Sequence, residues 1–188
     1  FTCKNNKKQY FCIMHFKQVS ILFIALIMMS FGLPKNIQKR VNKEIIKTYS
    51  VEVFDFTEVV IPSDTAKDLP SKFETSNLFK IEANGSLLGY AYLSKAPSKT
   101  ALFDYLVLLD KDLIVLKSKV LLYREEYGGE IGSTRWLKQF IGKKGGDELK
   151  LGDNIIAISG ATISVRSMTN AMNDFLKSLK ILQNKNIL

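Results

Sequence analysis

The chain has 188 residues, is 46% hydrophobic and carries a formal charge of +9, which fits one packed domain plus a short extra segment and excludes a disordered polymer. Its lysines and arginines are spread along the sequence and form no single stripe interleaved with aromatics, which argues against a nucleic-acid partner. Cys3, Cys12 and the only histidine, His15, all precede the first apolar segment, so the remainder has no Cys/His metal set.

Residues 1–33 read as a leader. Val19 to Leu33 is apolar except for Ser20, Ser30 and Gly32, and at 1.5 Å per residue it reaches about 22 Å, short of a bilayer core. That length suits a signal-peptide core better than a retained membrane anchor, which stays the alternative; Ser30 and Gly32 supply the small residues of a cut after Gly32. Met14 opens a conventional export signal, so residues 1–13 read as upstream of the native start. The expected location is the periplasm or the extracytoplasmic face of the membrane.

Residues 34–77 read as a helix followed by a strand and loop. After Pro34, Ile37, Val41, Ile45 and Thr48/Tyr49 recur at helical spacing among lysines, which predicts a one-sided amphipathic helix that docks on the domain or lies on a membrane surface. Val51 to Ile61 is β-branched and aromatic and predicts a strand, and Pro62 to Ser76 a loop.

Residues 78–188 read as the main domain. Leu78–Glu82 and Leu87–Leu93 about Asn84-Gly85 predict a hairpin, broken at Ala96-Pro97-Ser98; Leu102–Leu109 and Leu113–Tyr123 about Asp110-Lys111-Asp112 predict a second. A glycine loop, Glu126-Tyr127-Gly128-Gly129-Glu130-Ile131-Gly132, follows, and then Trp136, Leu137, Phe140 and Ile141 at helical spacing behind Ser133. Lastly, Val165, Met168, Met172, Phe175 and Leu179 make one apolar stripe of a helix, with Ser164 as expected N-cap and Ser159-Gly160-Ala161-Thr162 on the turn before it. The fold class is therefore α+β, an antiparallel sheet of hairpins with flanking helices and a C-terminal amphipathic helix. Four small residues running into a helix N-terminus form a place where backbone amides can approach an anion such as phosphate.

At Ser159-Gly160-Ala161-Thr162 and Ser164 the sequence resembles the FMN-binding domain of the flavin-carrying subunits of the sodium-pumping NADH:quinone reductase and the Rnf electron-transport complex. The resemblance covers roughly Leu78 to Leu182. It implies FMN as cofactor, joined by a separate flavin transferase through a phosphoester to the motif threonine, here Thr162. Ser159, Gly160 and Ala161 would then cradle the phosphate, Ser164 with the helix amides would stabilise its charge, Arg166 either pairs with it or is a solvated helix residue, and the glycine loop with Glu126, Gly128 and Gly129 would approach the flavin ring, on which Trp136 is a candidate to stack. Family members usually show Glu-Thr-Pro-Gly-Leu-Gly in that loop and an Asp three places before the motif serine, where this chain has Ile156.

The function this implies is an exported electron carrier between membrane or extracytoplasmic redox partners, without substrate turnover of its own. The alternative is a non-enzymatic exported module that binds FMN or another anion non-covalently. Thr162 as an enzymatic nucleophile ranks last, since no histidine follows His15 to act as its base.

Overall fold

The computed structural model describes residues 33–73 and 76–188. The leader reading, with Cys3, Cys12 and His15, lies outside them. Among the described residues, no helix is long and apolar enough to cross a membrane. Residues 34–188 form one compact unit.

Helix α1 (Lys35–Tyr49) follows Pro34, and its buried residues Ile37, Val41 and Ile45 are the stripe the spacing predicts. The chain then forms strand β1 (Asp55–Glu58), a short helix α2 (Ser63–Lys67), and strands β2 (Leu78–Ala83), β3 (Ser86–Pro97), β4 (Leu102–Asp110) and β5 (Val115–Leu122). All neighbours pair antiparallel in sequence order, so the sheet is a five-stranded meander. Asn84 and Gly85 both take positive φ, 51° and 74°, the backbone that a two-residue hairpin turn matched to strand twist requires.

Two 3-10 turns (Gly129–Gly132 and Lys138–Phe140) bracket α3 (Thr134–Leu137), and α4 (Thr162–Asn184) closes the fold. It lies on the sheet. Its Val165, Met168, Met172, Phe175 and Leu179 share one core with Tyr90 and Tyr92 of β3 and Phe103, Tyr105, Val107 and Leu109 of β4. Successive strand residues point to opposite faces, and Leu106 and Leu108 fall on the other one, as do their register partners Lys119 and Lys117. Lys117 pairs with Glu44 of α1 at 2.5 Å, so α1 covers that second face.

Three expectations are corrected. The strand expected over Val51–Ile61 shrinks to Asp55–Glu58, because only this stretch meets a ladder partner; Val53 and Val60 are 84% and 80% exposed and gain nothing from β propensity alone. The loop expected over 62–76 contains α2, which Pro62 precedes at the N-cap. The last helix begins at Thr162, with Ala161 and not Ser164 at the N-cap.

Candidate functional site

Gly160 sits at φ 80°, and a Cβ built there would meet nothing within 4 Å, so the turn before α4 is open to solvent. The Ala161 amide closes the turn onto the Ile158 carbonyl at 3.2 Å, and the Val165 amide makes the first helical bond, to Ala161 O at 2.9 Å. Between them, the amides of Thr162, Ile163 and Ser164 have no backbone acceptor among the described residues. They are the unsatisfied donors that any helix start leaves, and the positive end of the helix dipole coincides with them. Thr162 is thus the first helical residue, and it is exposed, as are Ser159, Gly160 and Arg166.

Thr162 and Arg166 are four residues apart on one helix face, and helical side chains lean towards the N-terminus. Arg166 therefore shares a helix face with Thr162, one turn further along. The first turn of α4 holds no acid to oppose an anion. The donor set fits a phosphate.

The glycine loop and this turn, separated by about thirty residues in sequence, come together. A Cβ on Gly128, whose φ is 80°, would stand 2.9 Å from the Tyr123 hydroxyl and 3.4 Å from Ala161 Cβ. The Tyr123 hydroxyl donates to Tyr127 O at 3.1 Å and lies 3.0 Å from Ser164 Oγ. A phenol has one proton. With that proton on Tyr127 O, the Ser164 hydroxyl is the donor to Tyr123.

Ser164, 3% exposed, therefore has no proton left for a phosphate, and its expected part in stabilising the charge passes to its backbone amide. Its side chain instead ties α4 to the loop. Glu126 and Gly129 are exposed at the loop surface, and Ile131 is fully buried beneath it.

Tyr123→Phe should cost about 1 kcal/mol, the usual net worth of such hydrogen bonds. Faster hydrogen exchange at the Gly128–Gly132 amides should accompany it. Unchanged exchange in the variant would remove the clasp.

Trp136, the candidate stacking residue, is 5% exposed and packs edge-on against Phe140 with ring centroids 5.2 Å apart. It has no free face for a flavin ring. Its Nε1 donates to the Ile156 carbonyl at 2.7 Å, while the Ile156 amide donates to Gln139 Oε1 at 2.6 Å. Both backbone groups of Ile156 are thus held from α3 and the 3-10 turn after it, and the Ile156 side chain is 71% exposed. Ser133 caps α3 by accepting from the Trp136 amide at 3.4 Å.

Two further ties position the site. Asn173 of α4 exchanges two 2.7 Å hydrogen bonds with the backbone of Leu149, where the chain begins its approach to the motif. At the tip joining β3 to β4, Glu125 accepts from Ser98 and from the amides of Thr100 and Ala101. The Ser98 hydroxyl first, then the Thr100 amide, holds its carboxyl below the ordinary carboxylate range. Ser167, one turn into α4, donates to Pro97 O at the same tip.

Sequence reasoning passed over Tyr123, Gln139 and Asn173. Tyr123 was legible only as the end of an apolar strand, although its position four residues before Tyr127 is the spacing its hydrogen bond uses. Gln139 and Asn173 are polar residues on otherwise amphipathic segments and carried no signal.

Residues 103–177 match the family described as the FMN-binding domain. Among solved structures, NqrC of Shewanella oneidensis matches with a TM-score of 0.52 at 15% sequence identity, over 82% of this chain and 99% of that one; at that identity the likeness is one of fold. No curated protein sequence matches the chain. The glycine loop and the Thr162 turn both lie inside the segment that matches this family.

Proposed function

We propose that the chain is an exported electron carrier whose FMN is joined through its phosphate to Thr162. The observation that carries this reading is the exposed Thr162 at the first position of α4, beside three unpartnered amides and against the Gly128 loop. FMN supplies one- and two-electron transfer when bound. The chain's own part is to hold and orient.

In this reading the amides of Thr162, Ile163 and Ser164 hold the phosphate, with Arg166 on the same helix face as Thr162 to pair with its charge. Gly160 keeps the approach to Thr162 Oγ1 open. The Tyr123 clasp fixes the glycine loop beside the site, and the Ile156 tether fixes the segment leading to it. Because Thr162 is exposed, a flavin transferase can reach its hydroxyl. An exposed site also suits short-range electron exchange with membrane or extracytoplasmic redox partners, and a tether prevents loss of the cofactor where free FMN is scarce. The match of residues 103–177 to the FMN-binding domain family and the fold shared with NqrC support this direction.

The test is co-expression of the chain with a periplasmic flavin transferase, followed by intact-mass measurement and in-gel fluorescence. The unaltered chain should gain the mass of one FMN phosphoester and fluoresce, and Thr162→Ala should do neither. An unmodified mass under conditions that flavinylate a known relative would overturn the covalent reading. Flavin that co-purifies with Thr162→Ala would favour the second reading, non-covalent capture of the phosphate by the same amides.

A further inference from the structure

The outward face of α1 has no role in the site just described. Lys35, Lys39 and Lys43 follow one another at four-residue steps, Lys47 continues the row, and all four are exposed with no ion pair among the described residues. Ile46, on the same face, is 41% exposed and lies among them. The only acid of the helix, Glu44, points the other way and pairs with Lys117 of the sheet. Arg40 likewise turns inward, donating to the Leu121 carbonyl.

The helix is thus neutralised where it meets the sheet and uniformly positive where it meets solvent. A lysine row with a central apolar side chain has the charge and the composition of a surface that rests on anionic lipid headgroups.

We propose that the outward face of α1 docks on an anionic phospholipid surface, with Lys35, Lys39, Lys43 and Lys47 at the headgroup phosphates and Ile46 entering the interface. In this arrangement α1 is the layer between the sheet and the bilayer, and it sets how the domain stands on the membrane. The proposal does not depend on the flavin reading.

Residues 34–188 hold the entire described core and are a compact unit by themselves. This piece can therefore be tested without the apolar stretch, which would enter lipid whatever α1 does. Its flotation with phosphatidylcholine vesicles should be slight, and with vesicles containing about 30% phosphatidylglycerol it should be strong, then lost at about 0.5 M salt as screening requires.

Replacing Lys35, Lys39 and Lys43 together by Gln, which keeps helix propensity, should weaken partitioning about a hundredfold, from roughly fivefold per lysine near an anionic surface. Replacing Lys67, Lys138 and Lys177 by Gln lowers the net charge equally but elsewhere, and should leave most of the binding. No flotation with anionic vesicles, binding that resists salt, or equal loss in the two triple variants would each overturn the proposal. Circular dichroism of both variants confirms that each is folded before it is compared.

Discussion

Gly89→Ala is expected to destabilise the protein by about 2–4 kcal/mol, from overpacking together with loss of a buried hydrogen bond. A Cβ at this position would stand 1.9 Å from the Leu109 carbonyl oxygen and 2.8 Å from the Tyr49 hydroxyl. Neither neighbour can yield cheaply. Leu109 O belongs to β4, which pairs directly with β3, and it accepts a 2.5 Å hydrogen bond from Tyr49 at the end of α1. Burial, and then Asp110, raise the Tyr49 phenol pKa, so the phenol stays protonated as the donor this bond needs.

A single methyl at residue 89 thus pushes apart two strands and releases the C-terminal end of α1. Urea denaturation followed by circular dichroism gives the comparison, with Tyr49→Phe as the control that loses the hydrogen bond alone, about 1 kcal/mol. A Gly89→Ala midpoint equal to that of the unaltered chain would mean that the two strands do not approach this closely.

Phe175→Ala is expected to cost more, about 3–5 kcal/mol, the range for removing a fully buried phenyl ring. Phe175 is fully buried and stacks on Tyr92, with centroids 4.2 Å apart and planes 13° from parallel; Phe73 lies 6.4 Å away. Through Tyr92 it joins α4 to β3, so its loss opens a cavity under the helix that begins at Thr162. For a domain of this size the melting temperature should fall by roughly 10 °C. Met172→Leu, which conserves volume at an equally buried neighbour, should cost under about 1.5 kcal/mol. If the two variants melted together, the ring would not be the anchor of the helix.

The parts of the fold that could be read from sequence are those with a strong local period. The stripe of α4, the stripe of α1 and the Asn84-Gly85 hairpin each obey a rule that needs no knowledge of what lies across from them. The strand expected over Val51–Ile61 fails for the opposite reason, since β propensity is realised only where a paired neighbour exists, and β1 has one for four residues.

The site divides in the same way. Small residues entering a helix announce the Thr162 turn. The pairing of that turn with Gly128 joins segments far apart in sequence and rests on a phenol at Tyr123, which looks like any other aromatic at a strand end. The helix start is misplaced by three residues because Ser164 is a favourable capping residue whose hydroxyl has a better partner in Tyr123. Trp136 shows the same limit, since an indole next to a glycine loop is as readily a core residue with one buried donor as a surface for a ring.

The tether at Ile156 separates two properties of that residue. Its amide and carbonyl are held by Gln139 and Trp136, bonds that any residue other than proline can make, while its side chain stands in solvent and supports nothing in the core. The path of the loop and the side chain displayed at residue 156 are therefore independent of one another. Replacing Ile156 by any residue other than proline requires no compensating change in the scaffold, so residue 156 is a place where the displayed side chain can change while the fold stays as it is.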